Sequence, residues 1–231
     1  MRLSIIISIS SLFMFAIAWP ARPGEPAAAA SRVQVNQDHF VIPEAKASFT
    51  IPQKWLNYSR FFKVNSVQLA TLNKPATHEW DSTYGPVVDA VLPLADCLLH
   101  IGNDGWDSEA VVWSDVQMRA YLTDTKPDDL KKSLETKGTQ AAVASKGMAG
   151  VRGRGVIKTD LQDEGPWKVN RISFDLWYGD YGGNANVFFY SRPSGAKTLV
   201  LVFMMVEGDS PLSKDAAKDR EAILKSFEME K

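Results

Sequence analysis

The strongest constraint on the fold is an uninterrupted apolar run, Leu199 to Val206, within "TLVLVFMMV" near the end of the chain. A strand with one face in water alternates apolar and polar residues, whereas a strand covered on both faces is apolar throughout. We therefore predict that this run is a strand in the interior of a sheet. Because both faces of that sheet must be covered, other elements are expected to pack on each side of it.

Other segments alternate apolar and polar residues, which is the pattern of strands. In the segment 116–123, Val116 and Met118 belong to one face and Gln117 and Arg119 to the other, so we predict a half-buried strand. Glycine-containing turns separate the strands of the second half, and such tight connections join antiparallel neighbours. The further strand candidates are "ASFTI", "NSVQLATL", "RGVIKTD", "KVNRISFDLWY" and "NANVFFYS".

Three segments have features of helices. The segment 86–101, "PVVDAVLPLADCLLHI", begins with a proline suited to a first turn, and Pro93 should kink or divide it. "KPDDLKKSLETKG" predicts a short polar helix that ends at Gly138, and "SPLSKDAAKDREAILKSFEME" predicts a final amphipathic helix. Together, the strands and helices predict an α+β fold in which an antiparallel β-sheet is sandwiched between helices, an α/β/α arrangement.

The first residues have the pattern of a signal peptide. Arg2 precedes an apolar run that ends at Ala18 and is shorter than the roughly 20 residues that a membrane-spanning helix needs. We predict a signal peptide over 1–18 and a Pro/Ala-rich leader over 19–42, with cleavage after Ala18 or Ala30. An uncleaved anchor is the alternative. The predicted location of the mature chain is periplasmic or secreted.

Charge and cysteine content exclude several classes of partner. The chain has 231 residues and a formal charge of −1, so it lacks the basic excess typical of binding to nucleic acids or anionic membranes. We predict no nucleic-acid partner and no membrane span after signal cleavage. Cys97 is the only cysteine, so the chain forms no internal disulfide. The apolar neighbours of Cys97 indicate a buried, inert thiol.

One short phrase, "SFTIPQKWLN", opens the predicted domain. Its pattern of Phe49, Pro52 and Trp55 resembles the start of the PsbP/Mog-type α/β/α sandwich domains. The resemblance continues with an alternating strand and a polar helix, then several antiparallel strands, and a final helix that ends in "AILKSF". It implies a single domain over residues 43–231. The sequence departs from the family pattern between Leu72 and Ser114, where we predict a helical insertion near 73–114.

The resemblance also implies a role. Members of that group include extrinsic subunits and assembly helpers of photosystem II, Ran-binding import factors and exported bacterial proteins, and as a class they look like binding and adaptor domains. The matching positions Phe49, Pro52, Trp55 and Phe227 are packing residues that join the first strand and the last helix to the core. The resemblance therefore carries over no catalytic residue, metal ligand or cofactor, and it implies a protein partner in the cell envelope.

Two groups of polar residues are candidates for chemistry. On the predicted helix, Asp96 and His100 are four residues apart, a spacing that lets a carboxylate orient an imidazole or lets both bind one metal ion. A solvated helix face explains the same spacing. The acidic segment 103–109 supplies oxygens that suit hard cations, although loops and turns have the same composition.

Aromatic residues next to a flexible turn form another candidate site. The segment "WYGDYGGN" places Trp177, Tyr178 and Tyr181 beside glycines. Aromatic residues are enriched at binding hot spots, and loops often carry function. Alternatively, Trp177 lies beneath a covering helix and belongs to the core.

A basic strand has two interpretations. In "VRGRGVIK", Arg152, Arg154 and Lys158 share one face if the strand is regular. These cations suit an anion or an acidic partner. Charges on an edge strand also prevent aggregation, which gives the same pattern.

The function predicted from these features is an exported, non-enzymatic binding or adaptor/assembly domain. The alternatives are a hydrolase and a small-molecule or metal-binding protein that uses Asp96 and His100 or the acidic segment 103–109. A cleft that holds Asp96 beside His100 and a nucleophile would support the hydrolase.

Overall fold

The computed structural model describes residues 39–52, 55–57, 85–107, 112–144, 151–159, 161–178, 181–207 and 211–230. The chain divides into two units, Met1–Gln34 and Val35–Lys231, and all described residues belong to the second. The predicted signal peptide, most of the predicted leader and the strand candidate "NSVQLATL" lie outside the described residues. None of the described helices has the length and apolar character needed to cross a bilayer.

The described strands form two antiparallel sheets. The strands are β1 (His39–Ile42), β2 (Ala47–Thr50), β3 (Leu56–Asn57), β4 (Cys97–Asp107), β5 (Val112–Thr123), β6 (Val151–Lys158), β7 (Lys168–Tyr178), β8 (Tyr181–Ser194), β9 (Lys197–Glu207) and β10 (Glu228–Met229). The main sheet has the order β3-β4-β5-β9-β8-β7-β6, and the small sheet has the order β1-β2-β10. The prediction of antiparallel neighbours is confirmed in every strand pair of both sheets.

The folded part begins earlier in the chain than predicted. β1 occupies residues that were assigned to the leader over 19–42, and it pairs with β2 through Phe40 opposite Phe49. Phe40 and Ile42 are buried. A strand of four residues gives too short an alternation to recognise, so only its pairing with β2 identifies it.

The described helices are α1 (Gly85–Val91), α2 (Pro127–Ser133), α3 (Thr139–Ala144) and α4 (Pro211–Lys225). The helix predicted over 86–101 is wrong after Val91. A single 3-10 turn at Leu94–Asp96 follows, and the chain then enters β4. Pro93 interrupts the helix as expected, but a short apolar run such as "CLLHI" fits a strand as well as a buried helix.

The helix predicted to end at Gly138 instead continues. A π-helical turn at Leu134–Gly138 joins α2 to α3. A Cβ atom at Gly138 would lie 3.4 Å from Ile172 Cδ1 and 3.5 Å from Ile157 Cδ1. The glycine thus allows close approach of the helix to β6 and β7 and does not act as a helix terminator.

Both faces of β9 are buried, as its apolar run predicts. Alternate residues of β9 belong to two separate apolar clusters. The first cluster combines Leu199, Leu201, Phe203 and Met205 with Ala216 and Ile223 of α4 and with residues of β1 and β2. The second combines Val200, Val202 and Met204 with Val87 and Val88 of α1 and Leu130 of α2.

The opening phrase of the domain joins the small sheet to the last helix. Phe49 stacks on Phe227 with ring centroids 5.6 Å apart, and both Phe49 and Trp55 are buried. Trp55 Nε1 donates a hydrogen bond of 2.9 Å to Asp219 Oδ2 on α4. These contacts confirm the prediction that Phe49, Trp55 and Phe227 are packing residues.

Candidate functional site

A row of polar side chains is buried on β4 and β5. His100, Gln117 and Arg119 have between 0% and 2% of their surface exposed, and Tyr121 is fully buried. The register places His100 opposite Arg119 and Arg119 opposite Val202 of β9. The prediction that β5 is half-buried is therefore wrong over residues 116–121, because its polar face is covered as well as its apolar face.

Two short contacts organise this polar row. His100 Nε2 and Gln117 Oε1 are 2.8 Å apart. Arg119 Nη1 donates a hydrogen bond of 2.8 Å to Asp89 Oδ1 of α1, and the pair is also an ion pair. The Arg119 side chain is 3% exposed and the Asp89 side chain 41% exposed, so one end of the pair is buried and the other reaches solvent.

Burial sets the protonation of the row. It lowers the pKa of His100 well below its usual 6.5, and the charge of Arg119 lowers it further, although the hydrogen bond to Gln117 opposes both. The imidazole is thus neutral at pH 7. Burial raises the pKa of the Cys97 thiol to about 11 and raises the pKa of Tyr121 beyond its ordinary range. Neither group is an activated nucleophile at neutral pH, and the prediction of a buried Cys97 is confirmed.

The Asp96–His100 pair has a different geometry from the predicted one. Asp96 is exposed at the end of the 3-10 turn, whereas His100 is buried in β4 and bonded to Gln117. The two residues do not share a helix face, so the base–orienter geometry inferred from their spacing is wrong. Since the row is buried under α1, we interpret it as a structural polar network that connects α1 to the sheet.

The acidic segment 103–109 is largely a strand and not a loop. β4 extends to Asp107, and its register places Asp104 opposite Asp115 of β5. Glu109 lies outside the described residues. Within the part of the chain that the structure describes, no group of three or more His, Cys, Asp or Glu residues could hold a metal ion.

The predicted aromatic site lies at one end of the main sheet. Tyr178, the last residue of β7, pairs with Tyr181, the first residue of β8, and Trp177 pairs with Gly182. The hairpin between β4 and β5 reaches the same end of the sheet, because β4 and β7 run in one direction and β5 and β8 in the other.

Two tryptophans that the sequence did not point to are at this end as well. Trp106 of β4 pairs with Trp113 of β5. β5 and β7 are separated by β9 and β8, which corresponds to three strand spacings or about 14 Å. We call Trp106, Trp113, Trp177, Tyr178 and Tyr181 the aromatic end of the sheet. The only sequence signal for the two tryptophans is their symmetric placement around the β4–β5 connection.

The basic strand "VRGRGVIK" is an edge strand. β6 closes the order of the main sheet and pairs only with β7 among the described strands. Its register shifts between Arg152 and Val156, and Lys158 is exposed. An irregular, charged edge is what resists pairing with another chain, so the edge-protection interpretation fits this position.

Comparison with known proteins gives only distant structural similarity. No protein-family model and no curated protein matches the chain. The chain is similar to LpqN of Mycobacterium tuberculosis, a protein involved in cell envelope biogenesis, with 12% identity and a TM-score of 0.38 over 78% of this chain and 81% of that chain. It is also similar to the Ran-binding protein Mog1p of Saccharomyces cerevisiae, with 9% identity and a TM-score of 0.40 over 83% of this chain and 94% of that chain. These values describe a partial superposition, which establishes neither a shared family nor a shared function.

Proposed function

We propose that this chain is an exported binding module of the PsbP/Mog type, which contacts a protein partner in the cell envelope through the aromatic end of its main sheet. The observation that carries the proposal is the strand register, because two separate hairpins bring five aromatic residues to the same end. Aromatic residues are enriched among the few residues that dominate binding energy at protein interfaces.

The arrangement of the core supports a rigid binding module. One apolar cluster of the main sheet includes α4 and the small sheet, and the other includes α1 and α2, which supports the proposed α/β/α arrangement. The main sheet reaches the aromatic end through strands of 11 to 14 residues in β7, β8 and β9. Sites carried by paired strands are positioned more precisely than sites on loops.

The residues that precede the domain support the proposed export. The apolar run after Arg2 and the small residues around Ala18 are typical of a cleaved signal peptide. With a single cysteine, the chain has no internal disulfide to stabilise it after export. Two apolar clusters and the stacking of Phe49 on Phe227 provide that stabilisation.

Site-specific photocrosslinking in the native host tests this function. A benzophenone amino acid would replace Tyr178 at the aromatic end or, as a matched control, Ala196 in the exposed turn between β8 and β9 at the opposite end. We expect a discrete crosslinked product with the probe at residue 178 and none with the probe at residue 196. Adding Trp177→Ala and Tyr181→Ala should remove the product.

Equal crosslinking from both positions would contradict the proposed surface, and so would a product that survives the two alanine substitutions. Fractionation of the same cells tests export separately. Recovery of the full-length, uncleaved chain in the cytoplasm would contradict the signal peptide without bearing on the aromatic end.

A further inference from the structure

Two arginines stack against the same aromatic ring on the face of the main sheet that belongs to the first apolar cluster. Phe188 of β8 is 7% exposed and is a member of that cluster. Arg171 Cζ of β7 lies 6.0 Å from the centroid of the Phe188 ring, and Arg220 Cζ of α4 lies 4.3 Å from it. Both arginines are half-buried. Two guanidinium groups from different elements thus converge on one position.

A third cation continues this pair across the sheet. The register places Lys158 of β6 opposite Arg171 and Arg171 opposite Phe188, so the three residues form one row. Lys158 is exposed. The adjacent row on the same face contains a polar pair, in which Ser173 Oγ donates a hydrogen bond of 2.6 Å to Asn186 Oδ1. We call Lys158, Arg171 and Arg220 the cationic row.

Arg171 has no acidic partner among the described residues, a property that it shares with Arg192 of β8, but in the described structure Arg171, unlike Arg192, shares its aromatic ring with a second arginine. None of the ion pairs between described residues includes Arg171. Its Nε atom is buried and makes no hydrogen bond within the described part of the chain. The Arg171 Nε atom is a buried donor without an acceptor among the described residues, and such a donor costs free energy, so an anion that supplies acceptors would stabilise this arrangement.

The geometry of the cationic row points to its ligand. A guanidinium that lies against an aromatic ring is held in place, and its planar fork matches the two oxygens of a carboxylate. Lys158 lies one strand spacing, about 4.8 Å, beyond Arg171, so the cationic row extends from the ring that Arg171 and Arg220 share toward the edge strand β6. Several separate carboxylates fit such spacing better than a single compact anion does.

We propose that the cationic row, anchored on Phe188, binds carboxylate side chains of an acidic, extended segment of a protein partner. The proposal rests on the proposed function, since it names the chemistry of the partner that the aromatic end contacts. Arg171 is at the centre of the row, because it lies between Lys158 and Phe188 and has no acidic partner in the described structure. Arg220 approaches the same ring from α4 and donates from Nη1 to Met205 Sδ at 3.7 Å.

Calorimetric titration of the mature chain with a hexaglutamate peptide tests the proposal. We expect binding that weakens as the salt concentration rises, because salt screens the attraction between charges that are in contact with solvent. Arg171→Gln should weaken the affinity about tenfold, which corresponds to the loss of one charge-assisted pair. Arg171→Lys should give an intermediate affinity, since it keeps the charge and loses the planar fork.

Arg192 offers a matched control. It is a half-buried arginine of β8 that also stacks on an aromatic ring, with Cζ 5.3 Å from the centroid of Trp167. Arg192→Gln changes the net charge by the same amount as Arg171→Gln, so it should leave the affinity within about twofold of the parent. Circular dichroism of each variant establishes that it is folded before titration.

Three results would overturn the proposal. The first is that the parent chain fails to bind hexaglutamate, and the second is that Arg171→Gln and Arg192→Gln weaken the affinity for the peptide equally. The third is that inorganic phosphate binds at concentrations where the peptide does not. Failure of crosslinking at residue 178 with hexaglutamate binding retained would contradict the aromatic end and leave the cationic row supported. The two ideas therefore fail separately.

Discussion

Arg119 and Arg171 lie in the same sheet, but on strands and faces with different surroundings. Arg119 of β5 is 3% exposed, and Asp89 of α1 neutralises it at 2.8 Å. Arg171 of β7 is half-buried, lies against Phe188, and has no ion pair with a described residue. Both residues occupy the polar positions of alternating strands, so sequence pattern alone does not distinguish them.

The difference shows how burial decides what a charge does. A fully buried charge must have a partner inside the fold, because desolvation without compensation costs several kcal/mol. A half-buried charge keeps contact with water and can exchange that water for a ligand. We therefore assign Arg119 to the stability of the domain and Arg171 to binding, and the predictions below test that assignment.

The largest expected loss of stability comes from breaking the ion pair between Arg119 and Asp89. Asp89→Ala leaves the guanidinium without its carboxylate and should lower the free energy of unfolding by about 2 kcal/mol, less than for a fully buried pair because Asp89 is 41% exposed. Urea unfolding of the purified chain measures this change. Asp96→Ala is the matched control, since it removes an exposed aspartate, and it should change stability by less than about 0.5 kcal/mol.

The double variant Asp89→Ala/Arg119→Met should regain most of the lost stability, because an apolar side chain of similar length has no charge to compensate. If Asp89→Ala and Asp96→Ala lower the free energy of unfolding by the same small amount, the ion pair of Arg119 does not contribute to stability. The contrast with Arg171 would then be lost.

The next effect concerns pH and the buried His100. Burial lowers the pKa of His100 well below 6.5 in the folded chain, so below pH 6.5 the unfolded chain binds a proton that the folded chain does not. The contribution of His100 to the free energy of unfolding is complete above pH 6.5. It is lost as the pH falls, by about 1 kcal/mol for each pH unit. Urea unfolding at several pH values between 7.5 and 5 measures the slope.

His100→Gln supplies the comparison, because glutamine does not titrate and retains hydrogen-bonding groups beside Gln117. The difference in unfolding free energy between the parent and this variant should change with pH in the stated direction. Parallel curves for the two proteins would show that His100 takes up a proton in the folded state, contrary to its burial.

The smallest expected loss of stability comes from replacing Arg171. Arg171→Gln should lower the free energy of unfolding by less than about 1 kcal/mol, since it removes only a stacking contact with Phe188 and no ion pair within the described structure. The measurement is urea unfolding under the conditions used for Asp89→Ala. A loss as large as that of Asp89→Ala would mean that Arg171 is a structural residue, which would weaken its assignment to ligand binding.

The errors in the predicted fold have a common cause. The predicted helix over 86–101 contains a real turn of helix and a real strand, and Pro93 separates them. The strand part was missed because an apolar run of a few residues fits either structure when both of its faces are buried. The sequence predicts a helix end at Gly138, whereas in the structure this glycine packs closely against Ile157 and Ile172.

The candidate sites were predictable to different degrees. The aromatic residues Trp177, Tyr178 and Tyr181 stood out because they adjoin a glycine-rich turn, and their role in binding remains a prediction. Trp106 and Trp113 join them only through the pairing of β4 with β5. The spacing of Asp96 and His100 suggested a shared site, but it depended on a helix that the chain does not form there.

Local pattern in the sequence was sufficient for some features. The apolar run of β9 and the alternation of β7 follow from residue type and period, since side chains alternate between the faces of a strand. The packing roles of Phe49, Trp55 and Phe227 are implied by the resemblance to the PsbP/Mog-type domains. The three-dimensional packing was needed to establish which polar residues are buried, which arginine has an acidic partner and which hairpins share an end of the sheet. These properties depend on contacts between residues far apart in the chain, and no local pattern contains that information.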